Sequence, residues 1–264
     1  MIILRKLKSK FYKWTERKIG IELDRMIPVI RPGTEYGGWI IPANLLTSES
    51  AVYLVGAGED VSFDLAIADQ FGCTVEIIDP TPRSKEHVTL LKENIRAGKE
   101  MPLSTAPGGK YAIVRSNVAS LLRFHPIGLW SEESTLRFYK PKNETHVSHS
   151  LVNLQKTDQY IEVPVCRLSS LMQQLGHTKV DLLKLDIEGA EYTVLKTILE
   201  DQLDIRVICV EYDETASNHI DGNYLNRIEE SIQELRNSGY LLVAKEPACR
   251  NYTFVHQRYF SELE

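Results

Sequence analysis

Two short runs of this 264-residue chain combine residue types that do chemistry. Asp181-Leu-Leu-Lys-Leu-Asp-Ile-Glu-Gly-Ala-Glu191 puts three charges, Lys184, Asp186 and Glu188, at alternate positions of an otherwise apolar stretch. Alternate residues of a strand share a face. A central parallel strand is normally apolar on both faces, so burying three charges there is costly unless they pair or meet a ligand. Asp186 and Glu188 are therefore candidate catalytic carboxylates, with Lys184 as the partner of one of them. A structural ion-pair network would use the same three residues. The run Val207–Asp213 ends alike, with Glu211 and Asp213 on one face. The four carboxylates Asp186, Glu188, Glu211 and Asp213 could orient a polyol, or bind a divalent cation such as Mg2+ through hard oxygen ligands.

The second run is Val52-Tyr53-Leu54-Val55-Gly56-Ala57-Gly58-Glu59-Asp60, a strand, a tight turn and a helix start. Glycine lets the backbone approach a ligand where a side chain would clash. Asp79 ends the next apolar run, 21 residues after Gly58, which is where a Rossmann-like fold hydrogen-bonds ribose hydroxyls. A turn before Pro80 would also use an aspartate. The third glycine of the dinucleotide fingerprint is replaced by Val61, and the helix opens with Glu59 and Asp60. Two carboxylates repel a pyrophosphate. They suit a ligand with ribose, a cationic sulfonium, an ammonium group and no phosphate, which describes S-adenosylmethionine (SAM).

The elements that must hold these runs follow from periodicity. Apolar runs at 51–55, 75–78, 124–130, 182–187 and 207–212 alternate with helical patterns at 61–71, 84–96, 191–199 and 223–238. Such alternation means βαβ units and a mostly parallel sheet. Residues 241–244 and 252–256 look like a closing antiparallel pair, and a hairpin is expected around Thr135–Tyr139. Leu4, Leu7, Phe11, Trp14 and Ile21 mark an amphipathic basic helix over residues 2–22, followed by a linker at Pro28, Pro32 and Gly33. The expected division is thus a helical extension, 1–31, and one domain, 32–264. The extension carries nine Lys/Arg and three Asp/Glu, and would dock on the domain, a partner or a membrane surface.

Composition narrows the classes. Hydrophobic residues make up 43% and charged residues 25%, which is globular. The net charge of -5 argues against nucleic acid as a partner. No apolar run is long enough to span a membrane, and the opening apolar stretch is too short for a secretory signal. The four scattered cysteines form no C-x-x-C pair, so no zinc cluster is indicated. Their apolar neighbours favour a reducing, cytoplasmic setting.

The segments DLLKLDIEGAEYTVL (181–195), VYLVGAGEDVSFDLA (52–66), IIDPTPRS (77–84), YGGWIIP (36–42), FHPIGLW (124–130) and HVSHSLVNLQKT (146–157) occur in this order. Together they resemble the FkbM family of SAM-dependent methyltransferases. The resemblance implies a Rossmann-like α/β fold, with a mostly parallel seven-stranded sheet and helices on both faces. It implies methyl transfer to a hydroxyl oxygen, with sugars and polyketide-type hydroxyls as the usual acceptors. Gly56, Gly58 and Asp79 match the family's cofactor positions, and Tyr36, Glu59, Asp60, Pro80 and Gly128 join them on the cofactor side. Many relatives carry Asn after the Gly-Ala pair and a further Gly two residues later. Here the run is GAGED, so contacts to the methionine end differ. Residues 98–121 look like an insertion to which no role carries over.

Methyl transfer to a hydroxyl needs a base within hydrogen-bond reach. Asp186 and Glu188 are candidates, directly or through a metal. So are His146 and His149, whose ordinary pKa suits neutral pH and which lie in the polar stretch where an acceptor loop belongs. His125, within a strand, is expected to be structural. The acceptor is a hydroxyl-bearing small molecule or glycan. A lipid or metabolite hydroxyl, or a non-catalytic scaffold on the same fold, are the alternatives. Tyr192-x-x-x-Lys196 mimics the Tyr/Lys pair of short-chain dehydrogenases, but Lys179 stands where their serine would be.

Overall fold

In the computed structural model, which describes residues 21–106, 108–139, 157–214, 219–246 and 250–263, the apolar runs become strands of one central sheet. A ribbon of β1 (Val29–Ile30) and β2 (Ile41–Pro42) comes first. It is followed by β3 (Val52–Val55), α1 (Ser62–Phe71), β4 (Val75–Ile78), α2 (Pro82–Ala97), α3 (Val118–Leu121) and β5 (Leu122–His125). A second, three-stranded sheet is formed by β6 (Gly128–Leu129), β7 (Ser134–Tyr139) and β8 (Tyr160–Cys166). Then come α4 (Leu168–Leu175), β9 (Lys179–Leu185), α5 (Glu191–Glu200), β10 (Asp204–Glu211), α6 (Tyr224–Asn237), β11 (Tyr240–Glu246) and β12 (Asn251–His256). A 3-10 turn, Gln257–Glu262, follows β12.

The seven-stranded sheet runs β11-β12-β10-β9-β3-β4-β5. Only β12 is antiparallel to its neighbours; β10, β9, β3, β4 and β5 are mutually parallel. The chain therefore builds outward from β3 in one direction and from β9 in the other. The crevice at the carboxyl ends of β3 and β9 is the switch point where open α/β sheets bind ligands. This is the mostly parallel α/β architecture expected from the alternation of strands and helices, with the seven strands that the family resemblance implies.

Side-chain alternation explains why both faces are covered. Val52 and Leu54 pack with Phe63 and Ile67 of α1 and Val88 and Leu91 of α2. Tyr53 and Val55 point the other way, onto Leu171 of α4, Val194 of α5 and Ile228 of α6. Each fully buried aliphatic side chain contributes about 1.5–3 kcal/mol, so a one-residue slip of β3 would move both sets to the wrong layer. On β9 the residue opposite Leu54 is Lys184, so the charge faces α1.

Several expectations are corrected. The run 124–130 is not one strand: β5 ends at His125 in the main sheet, and β6 pairs with β8 in the small one. Pro126 lies at the break and has no amide hydrogen to continue a ladder. The strand expected around Thr135–Tyr139 exists as β7, but its partner is β8, beyond residue 157, not the arm of a tight hairpin. β8 was hidden by Pro164, since proline argues against a strand. The first 20 residues, and with them nearly all of the basic amphipathic helix, lie outside the described residues. Ile21 and Glu22, expected to close that helix, are not helical, and the chain from there through the expected linker is docked: Ile21 is buried, Asp24 N donates to Leu242 O at 2.8 Å, Arg236 pairs with Asp24 at 3.0 Å, and β1 pairs with β2. Among the described residues no helix is long and apolar enough to cross a membrane.

Candidate active site

β3 ends at Val55 because the next residue must make room for β9. Gly56 has φ +83°, and a Cβ there would lie 1.7 Å from the carbonyl oxygen of Asp186. No side chain fits. The approach is held from three sides: Gly56 N donates to Ile78 O at 3.0 Å, Asp186 N to Val55 O at 3.2 Å, and Lys184 Nζ to Gly56 O at 2.7 Å. Gly58 is also left-handed, with φ +56°, and the turn runs from it into α1.

Asp79, expected to meet ribose, is turned onto the protein. Its Oδ2 accepts from the amides of Ala57 and Gly58 at 3.0 and 3.2 Å and from Ser84 Oγ at 2.9 Å. Its Oδ1 accepts from Thr81 N and Thr81 Oγ1 at 2.8 and 2.6 Å. A carboxylate offers about four lone-pair positions, so these five donors saturate it. Its place in the structure is to hold the glycine turn against β4. Glu59 and Asp60, expected to face a cation, are also engaged. Glu59 pairs with Arg83 at 2.8 Å. Asp60 accepts from Thr34 Oγ1 at 3.1 Å, Thr105 Oγ1 at 2.6 Å and Ser62 N at 3.0 Å. Gly128 packs against Val165, Phe138 and Pro80, placing Pro80 and Gly128 together where the small sheet meets the end of β4.

The fourth-run charges are brought together, with one change of geometry. β9 stops at Leu185, so Glu188 lies past the strand, in a turn where it has φ +54° and Gly189 φ +98°. The strict alternation therefore holds for Lys184 and Asp186 only. Lys184 is buried and pairs with Asp186 at 3.0 Å; its Nζ stands 5.5 Å from the centre of the Trp39 ring. Burial works against its charge, but Asp186 and Asp64 outweigh burial and raise its pKa. Asp64, on α1, is only 3% exposed, and its Oδ1 has no hydrogen-bond partner. Burial pushes it up to about 6, with Lys184 pulling the other way.

Opposite this pair the carboxylates crowd. Glu211 and Asp213, at the end of β10, are both pushed well above the usual range, first by burial. Asp186 and Glu188 add to the shift of Glu211, and Glu188 and Glu191 to that of Asp213. Glu191 is wholly buried at the start of α5 and accepts from Gly189 N at 3.0 Å. Burial raises it too, with Asp186 adding to the shift. Tyr36 is 70% exposed at the crevice mouth; partial burial and then Asp186, Glu211 and Glu188 raise its phenol. Among the described residues the result is a crevice rich in buried carboxyl groups, in which Lys184 is committed to Asp186 and to the Gly56 carbonyl.

Among the described residues, no group of three or more His, Cys, Asp or Glu side chains converges as metal ligands. The metal set suggested by Asp186, Glu188, Glu211 and Asp213 is thus not assembled as one. His146, His149 and Cys249 lie outside the described residues. His125 binds the buried Glu76 at 2.6 Å, a structural pair as expected. Tyr192 stacks on Tyr212 at 5.3 Å under the Arg227 guanidinium, while Lys196 is exposed, so these two do not form a dehydrogenase pair. Cys73, Cys166 and Cys209 are buried free thiols. Two contributors escaped sequence reasoning: Asp64 and Glu191. The signal was present in each, a carboxylate set among the apolar residues of a helix.

The sequence profile of the methyltransferase FkbM domain matches residues 55–242. No curated protein matches the chain. Solved structures with a similar chain course include the methyltransferase domain of METTL16, at 12% identity and a TM-score of 0.41, spanning 94% of this chain and 66% of that one. The Methanococcus jannaschii fibrillarin pre-rRNA processing protein aligns at 11% identity and a TM-score of 0.42, over 88% of this chain and 83% of that one. Human methyltransferase 10 domain containing protein aligns at 12% identity and 0.42, over 96% and 82%.

Proposed function

The chain belongs to the FkbM methyltransferase family, and from that premise we propose that it transfers a methyl group from SAM to a hydroxyl oxygen, with a sugar or glycan as acceptor. The observation that carries the proposal is the juxtaposition, at one switch point, of a turn that admits no side chain at Gly56 and a group of carboxyl groups raised first by burial and then by one another. A sulfonium and an ammonium would favour the ionised form of these carboxyl groups, whereas a pyrophosphate would only hold them protonated.

SAM, when bound, supplies an electrophilic methyl carbon on a positively charged sulfur. The chain supplies position, field and a place for a proton. Gly56 and Gly58 let the backbone come close to the donor. Asp79, Glu59 and Asp60 serve the cofactor by holding the turn; Pro80, Gly128 and Tyr36 border it. Asp186 and Glu188 face the acceptor and are the proposed bases within the described residues; His146 and His149 are the other two. Holding oxygen, carbon and sulfur in line is worth about 7–11 kcal/mol. Base assistance adds about 10²–10⁴-fold. We assign residues 32–264 to this activity and residues 1–31 to an extension whose described part, from Ile21, is docked on the domain.

Calorimetry with SAM and its demethylated product S-adenosylhomocysteine (SAH) tests the donor. A screen of neutral sugars, nucleotide sugars and glycans with methyl-labelled SAM, with and without EDTA, tests the acceptor. A folded protein indifferent to both SAM and SAH overturns the proposal.

A further inference from the structure

The segment after α2 matched no expected element, yet it makes some of the closest contacts to the glycine turn. From Met101 to Tyr111 the chain folds back on itself: Tyr111 N donates to Met101 O at 2.9 Å and Leu103 N to Gly109 O at 3.0 Å. Met101, Leu103 and Tyr111 are buried in the layer of α1 and α2. These anchors leave the polar tip facing the turn.

The contacts fall on three consecutive residues. Ser104 Oγ donates to Glu59 O at 2.9 Å, and Thr105 Oγ1 donates to Asp60 Oδ2 at 2.6 Å. The Tyr111 hydroxyl accepts from Val61 N at 3.1 Å and lies 2.8 Å from His87 Nε2 on α2. The backbone groups concerned cannot be served by α1 itself. Val61 precedes the helix, which has no side-chain cap there, and the first amides of any helix need partners from outside it. Asp60 also accepts from Thr34 Oγ1, and Thr34 in turn receives Gly37 N at 2.9 Å. One carboxylate thus ties the strap, the glycine turn and the Tyr36 turn together.

We propose that Ser104, Thr105 and Tyr111 are positioning residues for the methyl donor, setting the pose of the Gly56–Val61 turn that receives it. This rests on the assignment of SAM to that turn. The strap touches the turn from behind and needs no contact with the donor. Its effect is a correctly posed set of backbone groups, and misplacement by about 1 Å can cost two orders of magnitude in function.

The test compares Tyr111→Phe, Thr105→Val and the conservative Thr105→Ser with the wild type. Calorimetry with SAH is run well below the melting temperature, alongside circular dichroism and thermal melts. Tyr111→Phe and Thr105→Val are expected to raise the SAH Kd by about 5–10-fold, or about 1–1.4 kcal/mol, with unchanged spectra. Thr105→Ser, which keeps the donor oxygen, is expected to bind like the wild type. A purely structural strap would lower the melting temperature and leave Kd of the folded protein unchanged; that result overturns the inference alone. A wild-type protein that binds neither SAM nor SAH overturns the inference and the donor assignment together.

Discussion

Replacing Gly56 with alanine perturbs the contact on which the crevice is built, and its cost can be worked out in parts. The backbone at Gly56 has φ +83°, and the new Cβ would meet Asp186 O at 1.7 Å. Holding an L-residue in the left-handed region costs about 1–2 kcal/mol. Relieving the overlap requires the turn and the end of β9 to part by more than an ångström. Three hydrogen bonds span that gap: Gly56 to Ile78, Asp186 to Val55 and Lys184 to Gly56. Losing two of them removes about 2 kcal/mol more. The sum, about 3–4 kcal/mol, corresponds to a fall of roughly 10 °C in Tm for a chain of this size. Gly72, at the end of α1, supplies the control. Its φ is +72° and nothing lies within 4 Å of its built Cβ, so Gly72→Ala carries the backbone cost without the overlap. Melts of both variants, with SAH calorimetry, separate the two costs. Gly56→Ala is expected to lose SAH binding by at least about 100-fold, while Gly72→Ala keeps it. Equal melting temperatures and wild-type SAH affinity in both variants would falsify the claim that this close approach shapes the site.

The other expectations concern charge. Asp64 is raised from 3.8 to about 6 by burial, and a carboxyl raised on folding gives its stability below its unfolded pKa and loses it as pH climbs through the folded value. Asp64→Asn should therefore be more stable than the wild type above about pH 6, by up to about 3 kcal/mol at 1.36 kcal/mol per unit. Urea titrations should find the gap closing toward about pH 4; a gap independent of pH would refute this. Because Glu211 and Asp213 are raised by burial and by neighbouring carboxylates, a bound cation should drive protons off them. SAM affinity should then strengthen with rising pH, and calorimetry in buffers of different ionisation enthalpy should detect proton release on binding SAM in excess of that for SAH, which lacks the sulfonium charge. Asp79→Ala leaves the Ala57 and Gly58 amides without their acceptor, so Tm and SAH affinity should fall together, the latter by roughly tenfold or more; normal SAM affinity in the folded variant would remove Asp79 from the cofactor assignment.

Strand and helix order was legible because each central strand of this sheet is flanked by an amphipathic helix. Periods of 2 and 3.6 mark those residues directly. The small sheet was not legible. β7 is paired across residues 140–159, a separation no local pattern reports, and Pro164 disguises β8. Within the site, residue types were readable but their partners were not. Asp79 was visible as the acid 21 residues after Gly58, yet its oxygens are taken by the glycine turn, Thr81 and Ser84, in the turn before Pro80 that the sequence also allowed. Glu59 and Asp60 were visible as two carboxylates. Their partners, Arg83 for Glu59 and Thr34 and Thr105 for Asp60, come from three separate segments.

Asp186 and Glu188, indistinguishable by spacing, are separated by what holds them. Asp186 has one oxygen on Lys184 Nζ, and the same nitrogen holds Gly56 O. Its carboxylate is therefore coupled to the pose of the glycine turn. Glu188 lies beyond the strand, in a left-handed conformation that costs a non-glycine residue about 1–3 kcal/mol. Nothing in the strand requires that strain, because the sheet ends at Leu185. What the strained turn does is put a carboxylate between β9 and β10, beside Glu211 and Asp213, where it contributes to the raised pKa of both. Asp186 is thus tied through Lys184 to the glycine turn, whereas Glu188 acts on the carboxyl groups at the end of β10.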